Sequence, residues 1–318
     1  MKILVLGAGG IGGYFGARLA EAGADVTFLV RPRRRDQIRK DGLRVESPLG
    51  NLSLDVKTVL AEELKPGYDF VLFTCKAYDL DSAMDAIAPA MAGNCTVVPM
   101  LNGIAHFGQL DARFGAQNVM GGTCQINVTL RKDGVVEHAD TLQRLLFGER
   151  DKSKSPRVRA FADAFAVSKI DWKLSDDIEQ DLWEKIVFLA ALAATTCLFR
   201  ANVREIVAAP GGTQAMERAL ATTAAIATAM GHPPRAQVIE AARKRLTDPA
   251  GTWSASMLRD LEGGGRVEAD PVVGWMLEHA LRHGIDATVL ALAYTHLKAY
   301  EVRKAANRLP AHGAEGVP

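Results

Sequence analysis

Met1-Lys-Ile-Leu-Val-Leu-Gly7-Ala-Gly9-Gly10-Ile11-Gly12-Gly-Tyr-Phe-Gly16 opens the chain. Lys2 to Leu6 is a short apolar run suited to a buried parallel strand. Gly7, Gly9 and Gly12 keep the spacing G-x-G-x-x-G, and a helical pattern runs from Ile11 to about Ala22. Strand, glycine turn and helix in that order form the setting that a dinucleotide fingerprint requires. Gly7 permits the tight turn, Gly9 lets a pyrophosphate approach the backbone, and Gly12 lets helix and strand pack closely. The N–H groups opening the helix, at Gly10, Ile11 and Gly12, then face the phosphates. A purely structural glycine turn is the alternative. The second strand that follows, Asp25 to Val30, favours the nucleotide.

The end of that second strand carries the cofactor preference. An NAD site places an acidic residue there to meet the ribose 2′-hydroxyl. This chain has Arg31, followed by Pro32, Arg33, Arg34 and Arg35. A guanidinium grips a 2′-phosphate that a carboxylate would repel, so NADP is expected over NAD. The alternatives are a solvated basic turn or a nucleic-acid surface, and the three later arginines read as solvated. The formal net charge of +1 gives no global field for nucleic acid or acidic membrane. No aromatic residues interleave the arginines, which further weakens the nucleic-acid reading.

With 48% apolar and 24% charged residues over 318 positions, the chain reads as globular and large enough for two domains. No apolar run is expected to reach the length of a membrane span. The opening lacks a convincing signal-peptide cleavage site, and a cytoplasmic protein is expected. Four cysteines, Cys75, Cys95, Cys124 and Cys197, stand far apart without a metal-ligand spacing. They imply a reducing compartment and no metal site.

Leu43 to Val56 alternates around a Pro/Gly turn as a hairpin-like excursion. Asp69–Thr74 and Thr96–Met100 are further buried strands, with a helix at Asp79–Met91 between them. Their ends, Cys75-Lys76-Ala77 and Leu101-Asn102-Gly103, fall on the carboxyl edge of a parallel sheet, where ligands bind. Lys76 and Asn102 are therefore site candidates, against a solvated lysine and a plain turn. Val119–Leu130 and Val135–Phe147 read as antiparallel strands extending that sheet. From Ser175, an N-cap followed by acids, nearly everything reads as helix: about 176–199, 202–208, 213–230, 234–246, 253–262, 271–283 and 287–306. The tail from Leu309 reads as frayed. The expected architecture is a Rossmann-type α/β dinucleotide-binding domain (1–172) followed by an all-α domain (173–318), with substrate between them. The alanine-rich helix 213–230 leaves a homodimer open, since its face could be buried within the protomer or against a second one.

Two stretches of the helical part carry chemistry. In Asp181-Leu-Trp-Glu-Lys185, the lysine shares a face with Phe188, Leu189 and Leu192. Desolvation there would lower its pKa toward a range useful for proton transfer. The alternative is a surface lysine paired with Asp181. Ser254-Ala-Ser256-Met-Leu-Arg-Asp260, with Gly263-Gly-Gly-Arg266-Val-Glu268, could be a loop that closes on a ligand or a simple helix connection.

In order and spacing, these motifs resemble the ketopantoate reductase (2-dehydropantoate 2-reductase) family: Gly-Ala-Gly-Gly-Ile-Gly-Gly, Thr74-Cys-Lys76-Ala, Leu101-Asn102-Gly103, Leu182-Trp-Glu-Lys185, Ser256-Met-Leu-Arg-Asp and Arg266-Val-Glu268. The resemblance spans almost the whole chain. It implies NADPH-dependent reduction of ketopantoate to pantoate, a step of pantothenate biosynthesis, with no metal. Lys185 would protonate the developing alkoxide, and Glu268 would orient substrate or lysine and reach the cofactor. Ser256 would bind the substrate carboxylate. Asn102 would bridge cofactor and substrate, and Lys76 would lie beside both. One departure lies in the pocket wall. Ketopantoate-using members carry asparagines four and eight positions after the lysine, where this chain has Leu189 and Ala193. A 2-keto acid less polar than ketopantoate is therefore a second expectation. Another two-domain NADP dehydrogenase and a non-catalytic NADPH sensor are the competing readings, and both are disfavoured by the presence of Lys185 and Glu268.

Overall fold

The first strand, β1 (Lys2–Leu6), is buried along its length after Lys2, as an apolar run in the middle of a parallel sheet must be. A computed structural model describes residues 1–309 of the chain. It forms two compact units, Met1–Asn102 with His106–Leu182, and Gly103–Ala105 with the chain from Trp183. The expected frayed tail beyond Leu309 lies outside the described residues.

In the first unit α1 (Gly10–Glu21), β2 (Asp25–Leu29), α2 (Pro32–Asp41), β3 (Leu43–Glu46), β4 (Leu52–Leu54) and β5 (Lys57–Val59) follow β1. Then come β6 (Phe70–Phe73), α3 (Leu80–Ile87), β7 (Thr96–Pro99) and α4 (His106–Phe114). β8 (Gly121–Leu130), β9 (Val136–Gly148), α5 (Pro156–Ala166) and β10 (Asp171–Leu174) complete it. A five-stranded sheet has the order β5-β2-β1-β6-β7, every pair parallel. The chain reverses direction of build between β1 and β6, the switch point of a Rossmann-type sheet.

β8 and β9 do not extend this sheet, contrary to expectation. They pair antiparallel with each other, and β9 joins β3 and β10 in a second five-stranded sheet, order β10-β9-β3-β4 with β8 on β9. A single bridge, Val97 to Val119, ties the approach to β8 to the first sheet. Burial explains the split. β6 and β7 are buried at every residue, whereas β9 alternates buried and exposed positions and needs one solvated face. Between the sheets lies α1. A Cβ on Gly16 would come within 2.6 Å of the Phe28 ring on β2, and one on Gly13 within 2.7 Å of Val136 Cγ2 on β9. Glycine at these two positions, three residues apart, thus lets a strand of each sheet close on the helix. Phe28, Phe147, Phe161 and Phe165 fill the core around it.

The second unit contains helices and no strand among the described residues. Its members are most of α6 (Ile178–Phe199), α7 (Val203–Ala208), α8 (Gly212–Ala229), α9 (Ala236–Leu246), α10 (Ser256–Glu262), α11 (Trp275–Arg282) and α12 (Thr288–Ala305). Asp177 rather than Ser175 caps α6, its Oδ1 accepting from Gln180 N at 3.2 Å. Ser175 Oγ instead accepts from Asp177 N and donates to Asp181, at 3.1 and 2.7 Å. α6 has 22 residues, and its most apolar 18-residue window has a mean hydropathy of 1.6, so by length and composition it could cross a membrane, against the expectation of no such run. Of its most apolar window, 72% is buried inside the protein, which is how a core helix also reads. α8 lies against it, with Thr223 Oγ1 donating to Val187 O at 2.9 Å. Ala219 and Ala227 of α8 are buried within the protomer, while Ala221, Ala225 and Ala229 stay exposed.

Candidate active site

The carboxyl edge of the parallel sheet gathers the first group of candidates. Gly7 leaves β1 with φ +89° and donates its N–H to Leu29 O at 2.8 Å, closing the turn onto β2. Gly9 is the N-cap of α1 and has no side-chain cap, so the first-turn N–H groups of Gly10, Ile11 and Gly12 are open to an anion. A Cβ on Gly9 would meet nothing within 4 Å, which leaves the room a pyrophosphate needs. A Cβ on Gly12, by contrast, would lie 2.2 Å from Gly7 O and 2.4 Å from Thr74 Oγ1. Thr74, at the end of β6, donates to Leu6 O at 2.7 Å and so pins the two central strands where the glycine turn begins. Thr74 opens the Thr74-Cys-Lys76-Ala motif, whose pattern alone does not reveal this role.

Arg31 ends the β2 segment and begins α2, with Pro32 in the first turn. Its side chain is 79% exposed and pairs with Asp79 at 3.0 Å, so it reaches across from the end of β2 to the start of α3. Of the three later arginines, expected to be solvated, only Arg33 is. Arg34 is half-buried, donating from Nε to Ala8 O at 3.0 Å and from NH1 to Gly134 O at 2.9 Å. Burial, helped by nearby Arg44, holds its guanidinium below the usual arginine range. It clamps the glycine turn to the β8–β9 hairpin. Arg35 pairs with Glu63 at 2.8 Å. The basic run is therefore mostly committed inside the unit and offers little to a nucleic acid.

Lys76 and Asn102 are half-buried and follow β6 and β7, on the same sheet edge as Gly7 and Arg31. Lys76 caps a short 3-10 turn, its carbonyl accepting from Asp79 N at 2.9 Å.

The second unit holds the rest. Lys185, Phe188 and Leu189 are half-buried along one face of α6, and Leu192 and Ala193 continue it into the core. Glu184, 5% exposed, accepts from Arg235 N at 2.8 Å, from its Nε at 2.7 Å and from NH2. This ties the start of α9 to the turn of α6 that bears Lys185. Ser256 is the first residue of α10, and Ala255 N before it meets Thr196 Oγ1 of α6 at 3.4 Å. Glu268 is 6% exposed and leads into a π-helical turn, Asp270–Gly274, where Pro271 supplies no N–H. Gly103, which follows Asn102 with φ +83°, groups with this unit. A Cβ there would lie 2.9 Å from Pro271 O and 3.9 Å from Ile186 Cδ1. Gly103 therefore abuts the residue after Lys185 and the π-helical turn that follows Glu268. Within the second unit, the residues just after Lys185 and just after the Glu268 motif thus both lie against Gly103.

The glycine loop before Glu268 is held from α12. Tyr300 Oη donates to Gly265 O at 2.8 Å, and Lys304 donates to Gly264 O. Neither residue was foreseen, because their partners are backbone carbonyls about forty positions away. No cluster of three or more metal-ligating side chains occurs among the described residues.

Residues 3–152 match the model of the family "Ketopantoate reductase PanE/ApbA", and 177–301 that of its C-terminal domain. The chain is 36% identical over 304 residues to the Bacillus subtilis protein described as uncharacterized oxidoreductase YkpB, covering 96% of this chain and all of that one. It is 28% identical over 292 residues to the 2-dehydropantoate 2-reductase of Halobacterium salinarum, covering 91% and 95%. Among solved structures, the 2-dehydropantoate 2-reductase of Methylococcus capsulatus superposes with a TM-score of 0.85 at 26% identity, covering 96% and 98%. A D-mandelate dehydrogenase solved with NADH shares the fold, with a TM-score of 0.86 at 20% identity over 96% of this chain and all of that one. Its sheet order, its helical second unit and both family matches place this chain in the ketopantoate reductase PanE/ApbA family of oxidoreductases.

Proposed function

We propose that the protein reduces a 2-keto acid to the 2-hydroxy acid with NADPH, and that its substrate has a less polar side chain than ketopantoate. The observation that supports this most is that, within the second unit, Ile186 after Lys185 and Pro271 after Glu268 both lie against Gly103. The bound nucleotide supplies the hydride. Lys185 presents an ammonium to the carbonyl oxygen, stabilises the charge that develops there and gives it a proton. Glu268, buried beside the π-helical turn, orients lysine or substrate. Ser256 donates to the substrate carboxylate. Asn102 and Lys76, on the sheet edge, hold the nucleotide toward the substrate. Leu189 and Ala193 stand where a hydroxylated substrate would want amide partners, and burying an unpaired hydroxyl costs about 1–3 kcal/mol. Ketopantoate, the substrate that the family name carries, is the second reading.

The test is NADPH oxidation by purified protein with ketopantoate, beside apolar 2-keto acids and an NADH control. Faster turnover of an apolar keto acid is expected. Efficient use of ketopantoate would move the assignment to pantoate formation. Tight NADPH binding with no turnover of any keto acid would leave a sensor.

Arg31 carries the choice of NADPH. Its ion pair with Asp79 is exposed, and such pairs contribute only about 0–1 kcal/mol, so exchanging Asp79 for a phosphate costs little. Arg31→Ala is expected to raise KM for NADPH about tenfold or more, the weight of a charge-assisted hydrogen bond, and to leave KM for NADH nearly unchanged. Equal effects on both cofactors, in parallel steady-state assays, would remove Arg31 from the phosphate site.

A further inference from the structure

The last turn of α9 carries Arg243, Lys244 and Arg245, and its two arginines are used differently. Arg243 meets Glu240 at 2.8 Å and Glu217 at 3.8 Å, an ordinary surface network. Arg245 meets no carboxylate among the described residues. Its guanidinium carbon instead lies 4.9 Å from the centre of the Phe188 ring and 5.7 Å from that of Trp253. Phe188 is on α6 one turn after Lys185, and Trp253 stands three residues before Ser256. Arg245 is exposed, and its cation lies against one ring from the segment with the proposed proton donor and one from the segment with the proposed carboxylate ligand.

Trp253 is well held. Arg204 N donates to Gly251 O at 2.7 Å and Val203 N to Trp253 O at 3.2 Å, which fastens its loop to the start of α7. Its indole N–H is buried and reaches no acceptor among the described residues, so this position uses the ring and not its polar handle. Aromatic rings attract the flat faces of a guanidinium and leave its in-plane N–H donors for a carboxylate. On the Lys185 face, the lysine itself is assigned to the carbonyl oxygen. Leu189, Leu192 and Ala193 are alkyl, and Ser256 is a neutral donor. A carboxylate brought against such a wall needs a positive partner.

From this arrangement, and resting on the reductase reading, we infer that Arg245 anchors the carboxylate of the 2-keto acid, together with Ser256. The alternative is an arginine whose stem only covers aromatic surface.

The deciding experiment compares 2-keto-3-methylbutanoate with its methyl ester as substrates for wild type, Arg245→Leu, Arg245→Lys and Arg243→Leu. Arg245→Leu is expected to lower kcat/KM for the acid about 30-fold, mostly through KM, and to leave the ester nearly as in wild type. Arg245→Lys should recover part of the loss, and Arg243→Leu should keep the wild-type acid-to-ester ratio. An unchanged acid-to-ester ratio in Arg245→Leu overturns the inference. Wild type that reduces no 2-keto acid overturns the reductase reading instead. The anchor is then judged by thermal shift of the NADPH-loaded protein with 2-hydroxy-3-methylbutanoate. A shift lost in Arg245→Leu supports it, and an equal shift in both proteins, or none in wild type, overturns it.

Discussion

Lys185→Ala is expected to lower kcat by about 10²- to 10⁴-fold, the range that a positioned general acid contributes. The affinity for NADPH, read by fluorescence titration, should stay as in wild type. The separation follows from where the lysine sits. It is a half-buried residue within α6, and alanine is a better helix former there, so the helix itself loses nothing. The neighbouring Glu184 keeps its bonds to Arg235, so the start of α9 stays fastened to the same turn. What disappears is the ammonium of a half-buried α6 side chain. Lys185→Arg tests the nature of the loss. A guanidinium keeps the charge and hence part of the oxyanion stabilisation, but it gives up its proton far less readily. Turnover by the arginine variant should therefore stay well below wild type while exceeding that of alanine. A kcat for Lys185→Ala within a few-fold of wild type would take the lysine out of the chemistry and favour a group not yet named.

The sequence was most legible where one element reports on itself. The helices of the second unit show a 3.6-residue apolar period broken by Gly and Pro, and their limits at 203–208, 212–229, 236–246 and 288–305 lie within about two residues of expectation. The ends of β1, β2, β6 and β7 were equally readable, because a continuous apolar run that stops at a polar or glycine residue marks both a buried strand and its edge. α2 was missed for the converse reason. Ile38 is its one buried residue, so Pro32–Asp41 carries no apolar stripe and reads as a charged turn. The second sheet was misassigned because β3 pairs with β9 across some ninety residues, and alternation announces a strand without naming its neighbour. The same holds in the site. Thr74, Arg34, Tyr300 and Arg245 act on backbone carbonyls or ring faces, partners that leave no mark of their own in a sequence. Motif residues such as Lys185 and Glu268 were visible only as members of an ordered set, and what the set meant depended on the family resemblance.

Gly12→Ala and Gly9→Ala should separate what the glycine turn does for the fold from what it does for the nucleotide. At Gly12 the new methyl would meet Gly7 O at 2.2 Å and Thr74 Oγ1 at 2.4 Å, and the first of these is backbone that cannot rotate away. Relief requires α1 to lift from β1, and the adjacent Gly13 is already packed against Val136 on β9. The helix therefore has no direction in which to yield cheaply. A loss of about 3 kcal/mol in urea unfolding is expected, at the upper end for an overpacked core, together with loss of NADPH binding. At Gly9 the outcome should differ. Its φ is −82°, within reach of alanine, and nothing lies within 4 Å of the added carbon. The folded protein should thus keep its stability to within about 0.5 kcal/mol, as for a substitution that touches nothing. NADPH should nonetheless bind at least about tenfold more weakly, because the space that the methyl fills is the space through which the pyrophosphate reaches the α1 N–H groups. Unfolding and titration on the same two proteins decide it. If Gly9→Ala binds NADPH as tightly as wild type, the phosphates do not lie over this turn, and the nucleotide site must be sought elsewhere on the sheet edge. If Gly12→Ala folds and binds normally, the close approach of α1 to β1 is not what holds the turn in shape.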